Sequence, residues 1–350
     1  MKFWNNDIYM KDLETAFNNI TDRDSLKNSR IFITGATGLI GSFIADMLMW
    51  ANIKLGFNIS LCLMGRSEDR LKKRFPTELY KITPDFYVGD IMNPIRLTGD
   101  YDYVIHCAGN AYPAAFVNRP SETIKAAVTG MENVIRLCEC NKKGRMVLIS
   151  SGEVYGNGNS TAMKENDYGY IDITSSRASY PEGKRISEVL LASYIYEGKI
   201  DGTIARLCHT YGPCYSQGDN RAGTEFLMLA AKGKDIVMKS KGSQLRSYCY
   251  IADCASGIMT ALLKGNSGEA YNVANKDSVV SIAQLANTVA SAAGTNVIFK
   301  LPDNEEKKYA TPVDMAVLDE TKLKNIGYRP VYDIETGVRH SIDIIRGCYE

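Results

Sequence analysis

Two side chains of this sequence, Tyr180 and Lys184, are suited by type and spacing to acid–base chemistry. They lead into an apolar segment with helical spacing, and residues four apart on a helix lie on the same face. A nearby ammonium group favours the phenolate and lowers the pKa of a tyrosine from about 10 towards working pH. Tyr180 could then take or return the proton of a hydroxyl group. Ser151, which follows a strand predicted over 146–150, could hold the same oxygen.

The stretch 30–41 has the pattern of a pyrophosphate-binding turn. Its β-branched and aromatic start predicts a strand, after which glycines recur at every third position and a helical apolar pattern begins. Gly35 permits the sharp exit from the strand, Gly38 lets N–H groups approach the phosphates, and Gly41 lets the helix pack closely. Such glycines also occur in turns that bind no ligand. Here, however, the glycine turn, Ser151 and the Tyr–Lys pair follow one another in this order, which favours a dinucleotide-binding protein that transfers hydride. The predicted cofactor contacts here are Gly35, Gly38, Leu39, Ile40 and Gly41.

The strand predicted over 59–64 ends where a dinucleotide fold places the adenosine ribose. An acid at that point would bind a free 2′-hydroxyl, but this chain has Met64 and then Arg66, which would accommodate a 2′-phosphate. Arg66 is equally well explained as a solvated loop cation, because four more basic residues follow between positions 70 and 74. The choice between NAD and NADP therefore stays open.

Two further predicted strands end at the same edge of the sheet. One leads to Asp90 and Ile91, and the next leads to small residues that include Ala108. Small residues let a cofactor lie against the strand ends, so these three positions are predicted cofactor contacts. His106 precedes the end of its strand, and we interpret it as a structural hydrogen-bonding group rather than a catalyst.

Composition limits the possible partners. A chain of 350 residues with 45% apolar content can bury a large core, which suits an α/β unit alone or with a smaller domain. Lys plus Arg (41) nearly balances Asp plus Glu (40), so no broad basic field attracts nucleic acid or a membrane surface. The nine cysteines lack metal-ligand spacing, which predicts reduced thiols and no metal site. Without a signal-like start or a membrane span, we expect a cytoplasmic protein.

The chain begins with an arm, residues 1–29, that contains an amphipathic segment over 8–17. The arm could pack on the back face of its own domain or on a second subunit, and we favour the first arrangement. The strand–helix alternation breaks near position 209, where a second domain is expected to begin. We predict a dinucleotide-binding domain from 30–208 plus about 245–275, and a substrate-binding domain from about 209–244 and 276–350.

Several independent motifs are shared with one known family. They are 34–41, Asp90-Ile91, 106–108, 150–156, Tyr180 with Lys184, 211–213 and 244–248. On these motifs the chain resembles the extended short-chain dehydrogenases/reductases that act on nucleotide-sugars, over roughly residues 29 to 345. The resemblance implies an α/β, Rossmann-type doubly wound parallel sheet with a smaller C-terminal α/β substrate domain. It also implies NAD or NADP, a nucleoside diphosphate-sugar substrate and a cytoplasmic homodimer.

Within that family the pattern is most similar to UDP-glucuronate decarboxylases. By this resemblance Ser151 and Tyr180 bracket the sugar hydroxyl that is oxidised, and both Tyr180 and Lys184 contact the cofactor, Lys184 at the nicotinamide ribose. Glu153 would lie beside the reacting sugar carbons. These four residues are the predicted catalytic group.

The resemblance also implies a substrate side in the C-terminal third of the chain. Arg246 matches the family's arginine that clamps the diphosphate, and a guanidinium fork suits two phosphate oxygens. Arg221 is a second candidate, equally well explained as a surface charge. His209 stands where the family commonly has an Asn, and it could still donate to a phosphate.

Two departures from the family limit the choice of reaction. Gly152 stands where 4,6-dehydratases usually carry the Asp that protonates the leaving hydroxyl, and 307–314 lacks the Arg expected in decarboxylases. The leading hypothesis is an epimerase, decarboxylase or dehydratase that works through a keto-sugar intermediate. The alternatives are an NADPH-dependent reductase of a nucleotide-linked keto-sugar, favoured by Arg66, and a non-catalytic dinucleotide-binding protein. The intact Ser151, Tyr180 and Lys184 argue against the last.

Overall fold

The computed structural model describes residues 3–79, 83–141, 144–158, 160–215, 219, 221–300 and 315–349. The strands in these residues are β1 (Arg30–Thr34), β2 (Ser60–Gly65), β3 (Asp85–Val88), β4 (Tyr103–His106), β5 (Arg145–Ser151), β6 (Asp201–Leu207), β7 (His209–Tyr211), β8 (Ile236–Met238), β9 (Leu245–Tyr250), β10 (Ala270–Val273), β11 (Val279–Ser281), β12 (Val297–Phe299) and β13 (Met315–Ala316).

The helices in the same residues are α1 (Asp7–Asn18), α2 (Leu39–Leu55), α3 (Glu68–Arg74), α4 (Pro113–Asn118), α5 (Pro120–Cys140), α6 (Ser179–Tyr196), α7 (Ala222–Ala231), α8 (Ile251–Lys264), α9 (Ile282–Ala293), α10 (Thr321–Asn325) and α11 (Ile334–Tyr349). No helix of the described chain is both long and apolar enough to cross a membrane.

A parallel sheet of seven strands, in the order β10-β6-β5-β4-β1-β2-β3, forms the centre of the molecule. The register pairs Ile33 of β1 with Leu63 of β2 on one side and with Ile105 of β4 on the other. All three side chains are fully buried, as expected when helices cover both faces of a parallel sheet. The strand order reverses beside β1, and ligands of such sheets bind at the carboxyl ends of the strands near that point.

Helices cover both faces of this sheet. On one face α5 and α6 pack together, and Met131 and Val134 of α5 contribute to the core beneath them. On the other face α2 and α8 pack beside each other, and Phe43 and Met47 of α2 lie in that core. This architecture confirms the predicted α/β doubly wound parallel sheet.

A smaller sheet is built around β9, which pairs with β7, β11 and β13. The pair β8–β12 lies apart from it, and helices α7, α9 and α11 pack on one another. Residues Leu245–Tyr250 thus belong to the smaller sheet, and the chain returns to the large sheet at Ala270–Val273. The predicted domain boundaries stay a prediction.

The N-terminal helix α1 packs on its own chain, against α2, α8 and α11. Its buried Asp12 carboxylate accepts hydrogen bonds from the hydroxyls of Tyr250 (2.6 Å) and Tyr332 (2.7 Å). His340 Nδ1 lies 2.9 Å from the same carboxylate. The arm is therefore joined to the C-terminal part of the chain, and this is the first of the two arrangements expected for it.

Candidate active site

The glycine turn brings α2 directly against the ends of β1 and β4. Gly35 has a φ of +65°, and a Cβ atom there would lie 2.8 Å from the backbone nitrogen of Ala108. A Cβ atom on Gly41 would lie 2.6 Å from the carbonyl oxygen of Gly35. Neither position has room for a side chain, so both require glycine.

The first turn of α2 has the chemistry of an anion site. The helix begins after Gly38, so the N–H groups of Leu39, Ile40 and Gly41 have no partner within the helix. Together with the positive end of the helix dipole, these groups suit a pyrophosphate. Ile40 also lines the large cavity described below. The turn therefore fits the dinucleotide expected from the sequence.

The predicted adenosine end lies beyond β2. Arg66 follows this strand with an exposed side chain, whereas Met64 is buried in the sheet. On the neighbouring loop, the carboxylate of Asp90 accepts a hydrogen bond from the backbone N–H of Met92 (2.9 Å), and Ile91 packs close to α5. Asp90 thus stabilises its own loop, and the cofactor contacts of these residues stay a prediction.

His106 is a neutral structural group. Its Nδ1 lies 2.8 Å from Thr34 Oγ1, which accepts a further hydrogen bond from the backbone N–H of Ala108. Burial and the nearby charge of Lys184 lower the pKa of His106 to about 3. The side chain therefore ties the ends of β1 and β4 together, which is the structural role expected for it.

Lys184 of α6 lies under the ends of β4 and β5. Its ammonium group donates to the carbonyl oxygen of Ile149 (2.6 Å), and a Cβ atom on Gly109 would lie 3.8 Å from Nζ. Burial lowers the pKa of Lys184 to about 8. The structure thus places this side chain at the strand edge where the sequence predicted the nicotinamide ribose.

Tyr180 lies one turn earlier on α6, and it lines the same cavity as Ser151. Burial and the negative charge of Glu153 raise the pKa of Tyr180 to about 12, although the hydrogen bond with Ser151 acts in the opposite direction. The lowering of the pKa expected from Lys184 is therefore outweighed, chiefly by burial of the phenol. In the protein alone the phenol is therefore protonated at neutral pH.

Phe116 and Arg177, which were not among the predicted site residues, complete the surroundings of Tyr180. The rings of Phe116 and Tyr180 are stacked with centroids 5.1 Å apart and planes inclined by 20°. The Arg177 guanidinium lies 4.8 Å from the centroid of Phe116, and its Nη2 donates to both carboxylate oxygens of Glu153, at 3.1 and 3.3 Å. Arg177 lies in the turn before α6, and its bond to Glu153 joins two segments that are distant in the sequence, so no local pattern indicates it.

A cavity of about 810 Å³ opens beside the phenol and extends between the two sheets. It brings together all the predicted catalytic and substrate-binding residues, namely Ser151, Glu153, Tyr180, Lys184, His209, Arg221 and Arg246. Ligand pockets of roughly 300 to 1,000 Å³ hold small organic molecules, so the volume suits a nucleotide-sized ligand.

The far side of this cavity is rich in positive charge. Enclosure by the cavity wall and the charges of Arg246, Arg221 and Arg177 lower the pKa of His209 to about 3, which leaves a neutral donor. Arg221 forms an ion pair with Asp219 (Nη2 to Oδ2, 2.5 Å). Arg246 is buried, and its Nη1 donates to the carbonyl oxygen of Leu245 (2.8 Å). These cations suit an anionic ligand group.

A buried polar network behind the site supports the catalytic side chains. Glu188, one turn after Lys184 on α6, accepts hydrogen bonds from Ser150 Oγ (2.5 Å) and Arg206 Nη2 (2.7 Å). Arg206 Nη1 also donates to the hydroxyl of Tyr155 (3.1 Å). The network fixes α6 against β5 and β6, so it positions Lys184 relative to the strand ends.

Two further predictions concern metal binding and the segment 307–314. Among the described residues, no cluster of His, Cys, Asp and Glu has the arrangement of a metal site. The segment 307–314, in which the arginine of decarboxylases is missing, lies outside the described residues.

Comparison with known proteins shows the relationship of the whole chain. The model of the NAD dependent epimerase/dehydratase family matches residues 31–274. UDP-glucuronic acid decarboxylase 6 of Arabidopsis thaliana is 30% identical over 314 residues, which cover 89% of this chain and 87% of that protein. UDP-glucuronic acid decarboxylase 1 of Xenopus tropicalis is 25% identical over 319 residues, which cover 91% of this chain and 72% of that protein.

Solved structures share the fold. A UDP-N-acetylglucosamine 4-epimerase from Methanobrevibacter ruminantium matches with a TM-score of 0.78 at 19% identity, covering 92% of this chain and 99% of that one. A UDP-glucose 4-epimerase from Thermus thermophilus, solved with NAD, matches with a TM-score of 0.75 at 21% identity. The match covers 91% of this chain and 99% of that one. At these identities the match concerns the fold alone.

Proposed function

The chain belongs to the NAD dependent epimerase/dehydratase family, and from that premise we propose that it modifies a nucleoside diphosphate-sugar through transient hydride transfer. The sugar would be oxidised at one carbon, the keto-sugar would rearrange, and the hydride would return. The observation that carries this proposal is that Ser151, Tyr180 and Lys184 line one wall of a cavity that also contains Arg246. The family is NAD dependent, and its curated relatives are enzymes.

The residues around the glycine turn fit the cofactor. The first turn of α2 would hold the pyrophosphate of NAD, and Lys184 would hold the nicotinamide ribose, with Ala108 beside it. When bound there, NAD supplies the hydride acceptor. The protein's own task at this edge is to orient the ring and to keep water out of the buried corner between α6 and the strand ends.

Proton transfer falls to Tyr180 and Ser151. Ser151 and Tyr180 line the same cavity, so one sugar hydroxyl could contact both and would pass its proton to the phenol oxygen once that oxygen is deprotonated. The nearby charges of Arg177 and Arg221 stabilise that phenolate, because both act to lower the pKa of Tyr180. Glu153 would face the sugar carbons that rearrange.

The nucleoside diphosphate would occupy the opposite end of the cavity. Arg246 offers a fixed guanidinium for phosphate oxygens, and neutral His209 offers a donor that does not repel the arginines beside it. Arg221 is partly neutralised by Asp219 and its charge also acts on Tyr180, so we assign it a smaller share of phosphate binding.

An NADPH-dependent reductase of a nucleotide-linked keto-sugar is the second candidate. One observation favours it: the exposed Arg66 follows β2, and buried Met64 offers no acceptor for a ribose 2′-hydroxyl. In that case the cofactor would leave after each turnover instead of returning the hydride to the same sugar.

We also propose a cytoplasmic homodimer. Support comes from the outer face of α6, where Ile186, Val189 and Tyr196 are exposed. A patch of apolar side chains on a helix is a common feature of subunit interfaces.

Isotope labelling tests the two enzyme candidates. Native mass spectrometry should first show retained NAD on the purified protein. UDP-sugar deuterated at C4, incubated with unlabelled external NAD, should then give a product that keeps the deuterium. Transfer of deuterium to the external cofactor would instead support the reductase. So would a purified protein that contains no cofactor and is active only when NADPH is added.

A further inference from the structure

The N-terminal arm is attached to both parts of the molecule. Near its start, Trp4 Nε1 (3.2 Å) and the hydroxyl of Tyr9 (2.6 Å) donate to the buried carboxylate of Asp46, which lies on α2 at one face of the large sheet. Further along the arm, Asp12 is bonded to groups around the smaller sheet. The arm precedes the part of the chain that matches the family model, so the family relationship assigns it no role.

Both oxygens of the Asp12 carboxylate are occupied. Tyr250 donates to one oxygen, whereas Tyr332 donates to the other, beside His340 Nδ1. Asp12 is fully buried, and hydrogen bonds to an ionised acceptor are stronger than those between neutral groups. Tyr250 is the last residue of β9, and the other two partners lie just before and on α11. The arm therefore holds the end of β9 in place.

A row of aromatic rings connects Tyr250 to the cavity. Strands β7 and β9 are neighbours, and their register pairs Tyr211 with Tyr250. These two rings have centroids 5.6 Å apart, and the ring of Tyr248 follows at 6.4 Å from that of Tyr211. His209 comes next, 5.6 Å from Tyr248. Tyr211, Tyr248 and His209 line the cavity, and β9 also carries Arg246.

Helix α11 packs directly against the ring of Tyr250. A Cβ atom on Gly337 would lie 3.0 Å from Cγ of that ring, which is closer than ordinary van der Waals contact. Tyr211 and Tyr250 are both buried. Because protein interiors are close-packed, a shift of one ring displaces the rings that it touches. A change at Asp12 would therefore reach the cavity wall.

We propose that Asp12 is a positioning residue for the diphosphate end of the cavity. It fixes Tyr250, and through that ring it sets the place of the strand pair that carries His209 and Arg246. Asp12 itself does not line the cavity. The proposal rests on the proposed function for the identity of the ligand. It distinguishes two ligands, because a nucleoside diphosphate would contact these strands, whereas NAD would bind at the glycine turn of the large sheet.

Calorimetric titration tests the role of Asp12. UDP, dTDP, CDP and GDP are first compared on the unmodified protein, and the nucleoside diphosphate that binds most tightly becomes the probe. Asp12→Asn keeps the shape of the side chain and removes its charge. The variant should bind the probe about five- to tenfold more weakly, the worth of one hydrogen bond at the cavity wall. Its affinity for NAD should stay within about twofold.

Two tyrosine variants provide a matched comparison. Tyr250→Phe and Tyr332→Phe each remove one hydroxyl that is bonded to the same carboxylate, so thermal unfolding should show similar losses of stability. Tyr250→Phe should weaken binding of the probe, because Tyr250 belongs to β9. Tyr332→Phe should not, because Tyr332 lies outside the β7–β9 pair. This pair keeps the test valid if Asp12→Asn fails to fold.

The possible outcomes separate this inference from the proposed function. Unchanged affinity for the probe in Asp12→Asn and Tyr250→Phe would overturn the role of Asp12 and leave the proposed function standing. An equal loss in Tyr332→Phe, or an equal loss of NAD affinity, would also overturn it, because either pattern indicates a general loss of rigidity. An unmodified protein that binds none of the four nucleoside diphosphates would overturn both. A loss of probe affinity confined to Asp12→Asn and Tyr250→Phe supports the inference.

Discussion

Replacing Tyr180 by Phe is the sharpest test of the proposed mechanism, because it removes a single oxygen. The Phe ring can keep the stacked contact with Phe116, whose centroid lies 5.1 Å away. The variant loses the hydrogen bond to Ser151, which is worth about 1 kcal/mol of folding stability. It also loses the group that takes the hydroxyl proton, which should lower turnover by roughly a hundredfold or more, about 2.7 kcal/mol of transition-state stabilisation.

The expected loss of transition-state stabilisation is larger than the expected loss of folding stability, so measuring both separates a catalytic role of the hydroxyl from a structural one. Steady-state turnover should fall by at least that factor, whereas the thermal midpoint and the cofactor affinity should stay close to those of the unmodified protein. Tyr168→Phe is the matched control, because Tyr168 is 71% exposed and does not line the cavity. Lys184→Ala should lower both turnover and cofactor affinity, since the ammonium group lies at the predicted ribose site.

A fully active Phe variant would refute the mechanism. Such a result would mean that neither the phenol nor its bond to Ser151 takes part in proton transfer, and the hydride-transfer proposal would lose its base. A loss of turnover accompanied by an equal loss of thermal stability would show that the oxygen serves folding instead.

Three more predictions follow from particular positions. If the reductase candidate holds, NADP should bind at least as tightly as NAD, because exposed Arg66 can pair with a 2′-phosphate; fluorescence titration of both checks this, and a strong NAD preference would contradict that candidate. Elimination to a 4-keto-6-deoxy sugar should be slow, since Gly152 supplies no acid and such a group contributes about a hundredfold to ten-thousandfold. NMR after incubation with UDP-, dTDP-, CDP- and GDP-hexoses would expose rapid formation of that product, which would refute the prediction. The contribution of His106 to stability should fall by roughly 2 kcal/mol between pH 7 and pH 5, because the unfolded chain protonates His106 below its ordinary pKa of 6.5, whereas the folded chain, with a pKa of about 3, does not. Urea unfolding of His106→Asn should show a smaller decrease between these pH values, and an unchanged decrease would exclude this cause.

The features that sequence predicted well are those defined by local backbone geometry. Gly35 and Gly41 are required by contacts within one turn and the neighbouring strand, so their spacing is informative by itself. Tyr180 and Lys184 share a helix face for the same reason. The buried strands of the large sheet follow from short apolar runs whose ends carry small residues.

The features that sequence missed depend on contacts between distant segments. The bond between Arg177 and Glu153 joins two separate turns, one after β5 and one before α6. The buried pair Glu188–Arg206 joins a helix to a strand, and each residue alone has the composition of an exposed charge. The place of β9 in the smaller sheet was also not evident, because an apolar run does not reveal which strand lies beside it.

The long-range bonds of Asp12 bear on how the protein forms during synthesis. Its donors Tyr250, Tyr332 and His340 follow it by 238, 320 and 328 residues. At about 5 to 20 residues per second, the ribosome needs roughly a quarter of a minute to a minute to deliver them. Burying the carboxylate before then would leave it without partners, which is costly. The segment around Asp12 therefore leaves the ribosome before its partners and completes its docking after they emerge, and until then its apolar residues remain available to chaperones.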